Sequence, residues 1–236
     1  AVVDVIENGY EPEDDSGEGA DRFLEPRTMN LLYTGSVSKY FPQRHSPEKS
    51  FEAVERFLQR VPEAQKDFRV VFLGERDLEP VLRKFRERCP LLMGVLRDMG
   101  LVPRSQALAA QREADLLLIL AHPGRRGILT GKLFEYMAAG KPIFCLPGDG
   151  DELDKVLEDT RAGRVFSSVE EGACYLEESY RLWKAGKEVA YQPNLEELSK
   201  YTREKLAGRL AHILNQAVFT PEAVPTPTNP CVKGAD

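Results

Sequence analysis

Apolar and polar positions along the chain fall into blocks, each with its own period. Residues 29–35, MNLLYTG, form a near-continuous apolar run ending in glycine, the pattern of a strand buried on both faces. FRVVFLG (68–74) and DLLLILAH (115–122) repeat that pattern, and KPIFCLP (141–147) and GRVFS (163–167) predict shorter strands. Between these runs the period becomes helical. In SPEKSFEAVERFLQRV (46–61), Phe51, Val54, Phe57 and Leu58 share one face, with Ser46 placed to cap and Pro47 at the first helical position. Helices are also predicted over 78–89, 105–114, 130–140, 151–160, 169–186 and within 195–218. Gly140 suits the left-handed position after a helix end. LLMGVLRDMGLV (91–102) fits helix, strand or both.

Strands alternating with helices at this spacing predict an α/β fold, a Rossmann-like parallel sheet with helices on both faces. Residues 29–218 would make this domain. Residues 1–28 open with a strand-like VVDVI, then turn acidic and Gly-rich, and read as a linker with a flexible excursion. Residues 219–236 alternate Pro with small polar residues, from which no core can be built, and predict a disordered tail. Ligands of such folds bind outside the carboxyl ends of the strands. That rule points to TGSVSKYFPQRH (34–45), LGERD (73–77), LVPRS (101–105), AHPGRRGILTGK (121–132) and LPGDGDE (146–152).

Composition narrows the options. With 236 residues, 42% of them hydrophobic, the chain can build one α/β domain with a full core. A net charge of −6 gives no broad footprint for nucleic acid or an anionic membrane. Cys89, Cys145, Cys174 and Cys231 form no C-x-x-C pair, and read as free thiols of a reducing compartment. ADLLLILA is too short to span a bilayer, and no apolar leader opens the chain, so a cytoplasmic protein is expected.

The most informative stretch is GILTGKLFEYMAAGKPIF, 127–144. Its Gly-Lys pair is not a phosphate loop. Only three residues separate Gly127 from Gly131-Lys132, where the motif needs four, and Leu133 replaces the magnesium-binding hydroxyl. No G-x-G-x-x-G follows any strand either. A helix starting near Thr130-Gly131 nevertheless has unpaired N–H groups in its first turn, and its dipole favours a diphosphate there. Gly131 admits the phosphate, the Thr130 hydroxyl can donate, and Lys132 adds a cation. Glu135, one turn on, can accept bonds from both hydroxyls of a ribose. On spacing alone, Lys132 and Glu135 equally fit a helix-surface ion pair worth about 0.2–0.5 kcal/mol, and Thr130 an ordinary cap.

TGKLFEYMAAGKPIFCL resembles the donor-site signature of GT-B glycosyltransferases, in particular the family 4 type. VIENGYEP resembles the segment entering the second domain of those enzymes, and LLYTGSVSKYFPQRHSPEKSFEAV resembles its first strand, glycine turn and basic residue. LVPRSQALAAQREADLLLIL, GDGDELDKVLEDTRAGRV and YTREKLAGRLAHIL resemble later elements, in the same order. The resemblance covers about residues 2–217. It implies the C-terminal half of a GT-B glycosyltransferase, moving a sugar from a nucleoside-diphosphate sugar to an acceptor with retention. No separate cofactor and no metal are implied.

By resemblance, Glu135 binds the donor ribose, Thr130 and Gly131 offer amides to the diphosphate with Lys132 nearby, and Gly35 is the turn leaving room for the donor. Arg44 neutralises the departing diphosphate, with Lys39 a second candidate for that work; a fixed cation there acts where charge grows in the transition state. A solvated surface arginine is the plainer reading of Arg44. Val102 meets the nucleobase through backbone groups.

Two departures stand out. Many members carry a second glutamate eight residues before the ribose glutamate, where this chain has Gly127. His122, with Arg125 and Arg126 nearby, is the candidate substitute in sugar or diphosphate recognition. The acceptor-binding N-terminal domain is also missing, so the chain would bind a nucleotide sugar without transferring it, and the final helix would expose an apolar face. Asp149 and Asp151 are expected to start the next helix rather than hold a metal. The alternatives are a nucleotide-sugar epimerase of the same architecture, needing acidic and histidine groups in the cleft, and a non-catalytic nucleotide-binding module.

Overall fold

The computed structural model describes residues 3–12, 23–37, 47–74, 78–122 and 124–219. Six strands form one sheet: β1 (Met29–Thr34), β2 (Phe68–Leu73), β3 (Leu96–Asp98), β4 (Leu116–Ile119), β5 (Ile143–Cys145) and β6 (Gly163–Val165). All pairs are parallel, in the order β3-β2-β1-β4-β5-β6. The chain leaves β1 toward β2 on one side and later returns to lay β4 on the other, so the crevice at the carboxyl ends of β1 and β4 is the switch point of the sheet.

All six β1 residues are buried, as its unbroken apolar run requires. Their side chains alternate between two cores. Met29, Leu31 and Tyr33 pack in the core that holds residues of α1 (Glu48–Arg60), α3 (Pro90–Val95) and α7 (Val169–Lys184). Leu32 faces the other, with residues of α4 (Arg104–Glu113), α5 (Gly131–Ala139) and α6 (Glu152–Thr160). The expected sheet with helices on both faces is therefore the one observed. Gly172 of α7 is a point of close packing: a Cβ there would lie 2.8 Å from Leu146 Cδ2 and 3.3 Å from Ala53 Cβ.

Several local expectations are revised. The apolar alternation of VVDVI does not make a strand over residues 3–6, and Val3 and Val5 are exposed. The segment instead docks further on, where Tyr10 N–H donates to Tyr201 O at 3.0 Å and Arg203 N–H to Tyr10 O at 3.0 Å. Of the helix predicted over 78–89, only α2 (Glu79–Leu82), which buries Val81, is regular, and the chain continues through turns that still bury Phe85 and Cys89. The ambiguous 91–102 run holds most of helix α3 and then strand β3. The C-terminal helical stretch breaks at 200–202 into α8 (Leu195–Ser199) and α9 (Arg203–Phe219). Leu206 of α9 is buried while Leu210 and Leu214 are exposed, the apolar face anticipated for that helix. Helix α1 begins after Pro47, one residue later than expected. Ser46, Cys231, the acidic stretch 13–22 and residues 220–236 lie outside the described residues.

Gly163 starts the edge strand so close to β5 that a Cβ would collide with Ile143 O. Gly163→Ala is expected to lower unfolding stability by about 1–3 kcal/mol, measured by urea denaturation, without altering the α5 end of the molecule.

Candidate functional site

The carboxyl ends of the three neighbouring strands β1, β2 and β3 are each followed by a glycine in the left-handed region. Gly35 has φ 118°, Gly74 φ 97° and Gly100 φ 65°. Backbone bonds lace them together: Gly35 N–H donates to Leu73 O at 2.6 Å, and Gly74 N–H to Gly100 O at 2.7 Å. The backbone at all three is strained for any L residue, and at Gly35 a Cβ would have to displace the end of the Lys132 side chain. The strand ends therefore form a low, bare floor.

Helix α5 overhangs that floor. Thr130 occupies its N-cap in extended conformation without a side-chain capping bond, so the cap reading of the hydroxyl does not hold. Gly140 closes the helix at φ 65°, as expected. Lys132 does not pair along the helix surface. Its Nζ donates to Thr34 O and lies 4.4 Å from the centroid of the Tyr33 ring. Burial pushes this ammonium down to about 8, while the Glu135 carboxylate pulls in the opposite direction.

Glu135 points into open space at two clefts. One, of about 300 Å³, is lined by Gly35, Gly74, Val102, Gln111, Lys132 and Glu135 among others. The second, of about 210 Å³, lies between the 8–12 segment and helices α4 and α5, and includes Asn8, Gly131 and Glu135. Four residues singled out from sequence, Gly35, Val102, Lys132 and Glu135, thus meet around one cleft at the end of β1. Gly131 lines the other. The carboxylate of Glu135 is held by Arg104, at 3.4 Å, across the mouth of both clefts.

Thr130 and His122 line neither cleft. His122 follows β4, and its carbonyl accepts from Arg125 N–H at 3.1 Å. Gly127 is left-handed, φ 68°, and its N–H donates to Asp151 Oδ2 at 2.6 Å. Asp149 caps α6, accepting from Leu153 and Asp154 N–H. Among the described residues no group of three or more His, Cys, Asp or Glu is placed to hold a metal. Lys39 and Arg44, the candidate cations for the leaving group, lie outside the described residues.

Sequence reasoning missed three participants. Arg104 lay in a segment flagged by its place after a strand, but nothing singled it out as the partner of Glu135. Tyr136, fully buried, accepts the Thr34 N–H at 2.9 Å through its hydroxyl, and burial raises the pKa of that phenol. Gln111, 1% exposed, donates to Thr34 Oγ1 at 3.0 Å. A tyrosine and a glutamine inside helices carry no sequence signal of this kind, because both look like ordinary helix positions.

Residues 44–181 match the family described as glycosyl transferase-like. No curated protein matches the chain. Solved structures similar in fold include a pneumococcal O-GlcNAc transferase in complex with UDP and GlcNAc, at 12% identity and TM-score 0.56, covering 82% of this chain and 36% of that one. A second is an Anabaena protein, Alr3699/HepE, in complex with UDP and glucose, at 12% identity and TM-score 0.54, covering 80% and 49%. A third is the C-terminal domain of a glycosyl transferase group 1 family protein of Francisella tularensis, at 14% identity and TM-score 0.51, covering 74% and 87%. The chain thus spans about a third to a half of the first two and most of the isolated domain.

The depressed Lys132 ammonium has a stability consequence. Between about 8 and its ordinary 10.5 the unfolded chain binds the proton that the folded chain has released, so stability rises with pH across that window. The difference in urea-unfolding free energy between the native chain and Lys132→Met is expected to shift in favour of the native chain between pH 7.5 and 9.5. A difference that stays constant would contradict burial of the charged form.

Proposed function

The chain belongs to the glycosyl transferase-like family, and on that premise we propose that it is the donor-binding domain of an enzyme that moves a sugar from a nucleoside-diphosphate sugar to an acceptor. The observation that carries this reading is the convergence of Gly35, Val102, Lys132 and Glu135 on one cleft at the switch point of the sheet. The first turn of α5 offers unpaired amides at Gly131 and Lys132 to a diphosphate, and the helix dipole favours that charge. Lys132 adds a cation within the same turn, already poised beside the Gly35 floor. Glu135, one turn further along, is an acceptor for pentose hydroxyls, and Val102, in the wall of the same cleft, would meet a nucleobase through backbone groups.

Thr130 is assigned to the diphosphate, His122 to the sugar, and Arg44 with Lys39 to the charge that grows on the leaving group. UDP is the first nucleotide to try, since two proteins of similar fold are described in complex with it. The acceptor site is assigned to a further domain, in keeping with the fraction of those longer chains that this one spans. Residues 1–28 would form the connection to it, and residues 29–218 the nucleotide-sugar unit. Among the described residues no helix is long and apolar enough to cross a membrane, and we place the domain in the cytoplasm. The epimerase reading calls for a histidine beside the acid, and among the described residues none lines either cleft.

Calorimetric titration with UDP, GDP, ADP and dTDP is expected to find binding by at least one. Glu135→Ala should weaken that binding at least 10-fold, the loss of one charge-assisted hydrogen bond of about 1.5–3 kcal/mol. Absence of binding by all four, or unchanged affinity in the variant, would contradict the assignment. A bound diphosphate should also draw the Lys132 ammonium back up, so affinity is expected to fall as pH rises above about 8, and Lys132→Met should abolish that slope.

A further inference from the structure

Among the described residues, the buried side-chain polar atom left without a hydrogen-bond partner is Gln111 Oε1. A buried acceptor without a donor costs stability, and native proteins leave few of them. The other half of this amide is pinned. Gln111 Nε2 donates to Thr34 Oγ1 at 3.0 Å, and Thr34 is itself fixed by the Tyr136 hydroxyl, which lies 2.9 Å from its N and 3.3 Å from its Oγ1. With the amide nitrogen on Thr34, the oxygen is the end left without a partner.

Gln111 lines both clefts, and so do Arg104, Leu108 and Glu135. These four residues form the partition between the clefts. Its outer edge is the ion pair of Arg104 with Glu135, whose side chains are 64% and 38% exposed. Pairs this exposed hold weakly. A ligand that engages Glu135 competes with Arg104 for that carboxylate, in walls that Gln111 shares with both residues.

We propose that Gln111 Oε1 is a second acceptor for the pentose of the bound nucleotide, taking a hydrogen bond from one ribose hydroxyl beside Glu135. This inference rests on the nucleotide-binding reading above. The position favours the pentose over the base. Gln111 is tied to Thr34, whose carbonyl holds Lys132, so the amide lies on the side of the cleft assigned to the diphosphate and the pentose attached to it. The site would thus select a ribonucleotide over a deoxyribonucleotide through two acceptors, one charged and one neutral.

The test compares UDP, GDP and ADP, each with its 2′-deoxy and 3′-deoxy forms, on the native chain, Gln111→Leu and Gln111→Met, with thermal melting to confirm folding. The methionine variant, close to glutamine in shape, keeps the test available if leucine disturbs the core. For the nucleotide that binds, the ribo-to-deoxy affinity ratio for one of the two hydroxyls should fall about 3- to 10-fold in the Gln111 variants, the loss of one neutral hydrogen bond. A ratio that stays constant, even with uniformly weaker binding, would show a structural role and overturn the assignment. If no nucleotide binds the native chain, the nucleotide-binding reading falls together with this one. If binding depends on Glu135 but the ratio ignores Gln111, this inference falls alone.

Discussion

Thr34, the last residue of β1, is the point on which the site depends. Its N–H is taken by the Tyr136 hydroxyl, its carbonyl by Lys132 Nζ and its side-chain oxygen by Gln111 Nε2. Two of these partners belong to α5 and one to α4. A strand end beside a ligand crevice normally leaves backbone groups for water; here side chains satisfy them. That arrangement fixes the start of α5 directly over the Gly35 turn. It also brings a cation to a surface that a diphosphate would otherwise have to approach uncompensated. The cost is a desolvated lysine, and the family reading makes sense of that cost, because a diphosphate is the group that would restore the charge of the lysine.

The same geometry explains why Glu135 remains available. Lys132 is turned inward, so the carboxylate one turn later is not consumed by its helical neighbour and pairs with the exposed Arg104. An internal Lys132–Glu135 pair would have left a helix surface of no particular use. The ion pair along the helix, which spacing alone allowed, is replaced by contacts of Lys132 with Thr34 and of Glu135 with Arg104.

The parts legible from sequence share a physical cause. Strands buried on both faces can be written only with unbroken apolar runs, so β1, β2 and β4 announced themselves, and the glycines closing β1 and β2 marked turns that no other residue adopts easily. The parts that misled share one too. VVDVI alternates as a half-buried strand does, yet it lies exposed, and the docking of that segment is carried by the Tyr10 backbone rather than by its valines. Residues 78–89 bury the right side chains through turns rather than a full helix, a difference that apolar periodicity does not register. At the site, Gly131, Lys132 and Glu135 were visible because glycine, cation and acid at set distances from a helix start imply a chemistry, and Gly35 and Val102 through the resemblance alone. Gln111 and Arg104 were not, because polar positions on a short helix ordinarily face solvent, and only the fold shows that Gln111 is buried and that Arg104 reaches Glu135. Lys39 and Arg44 lie outside the described residues.

The most direct measurement is a crystal structure of the chain with a bound nucleoside diphosphate. The account predicts the pyrophosphate against the first-turn amides of α5 and beside Lys132, the pentose on Glu135, and Arg104 released from that carboxylate. A nucleotide bound elsewhere, or one bound here with the Arg104–Glu135 pair intact and the pentose facing solvent, would contradict it.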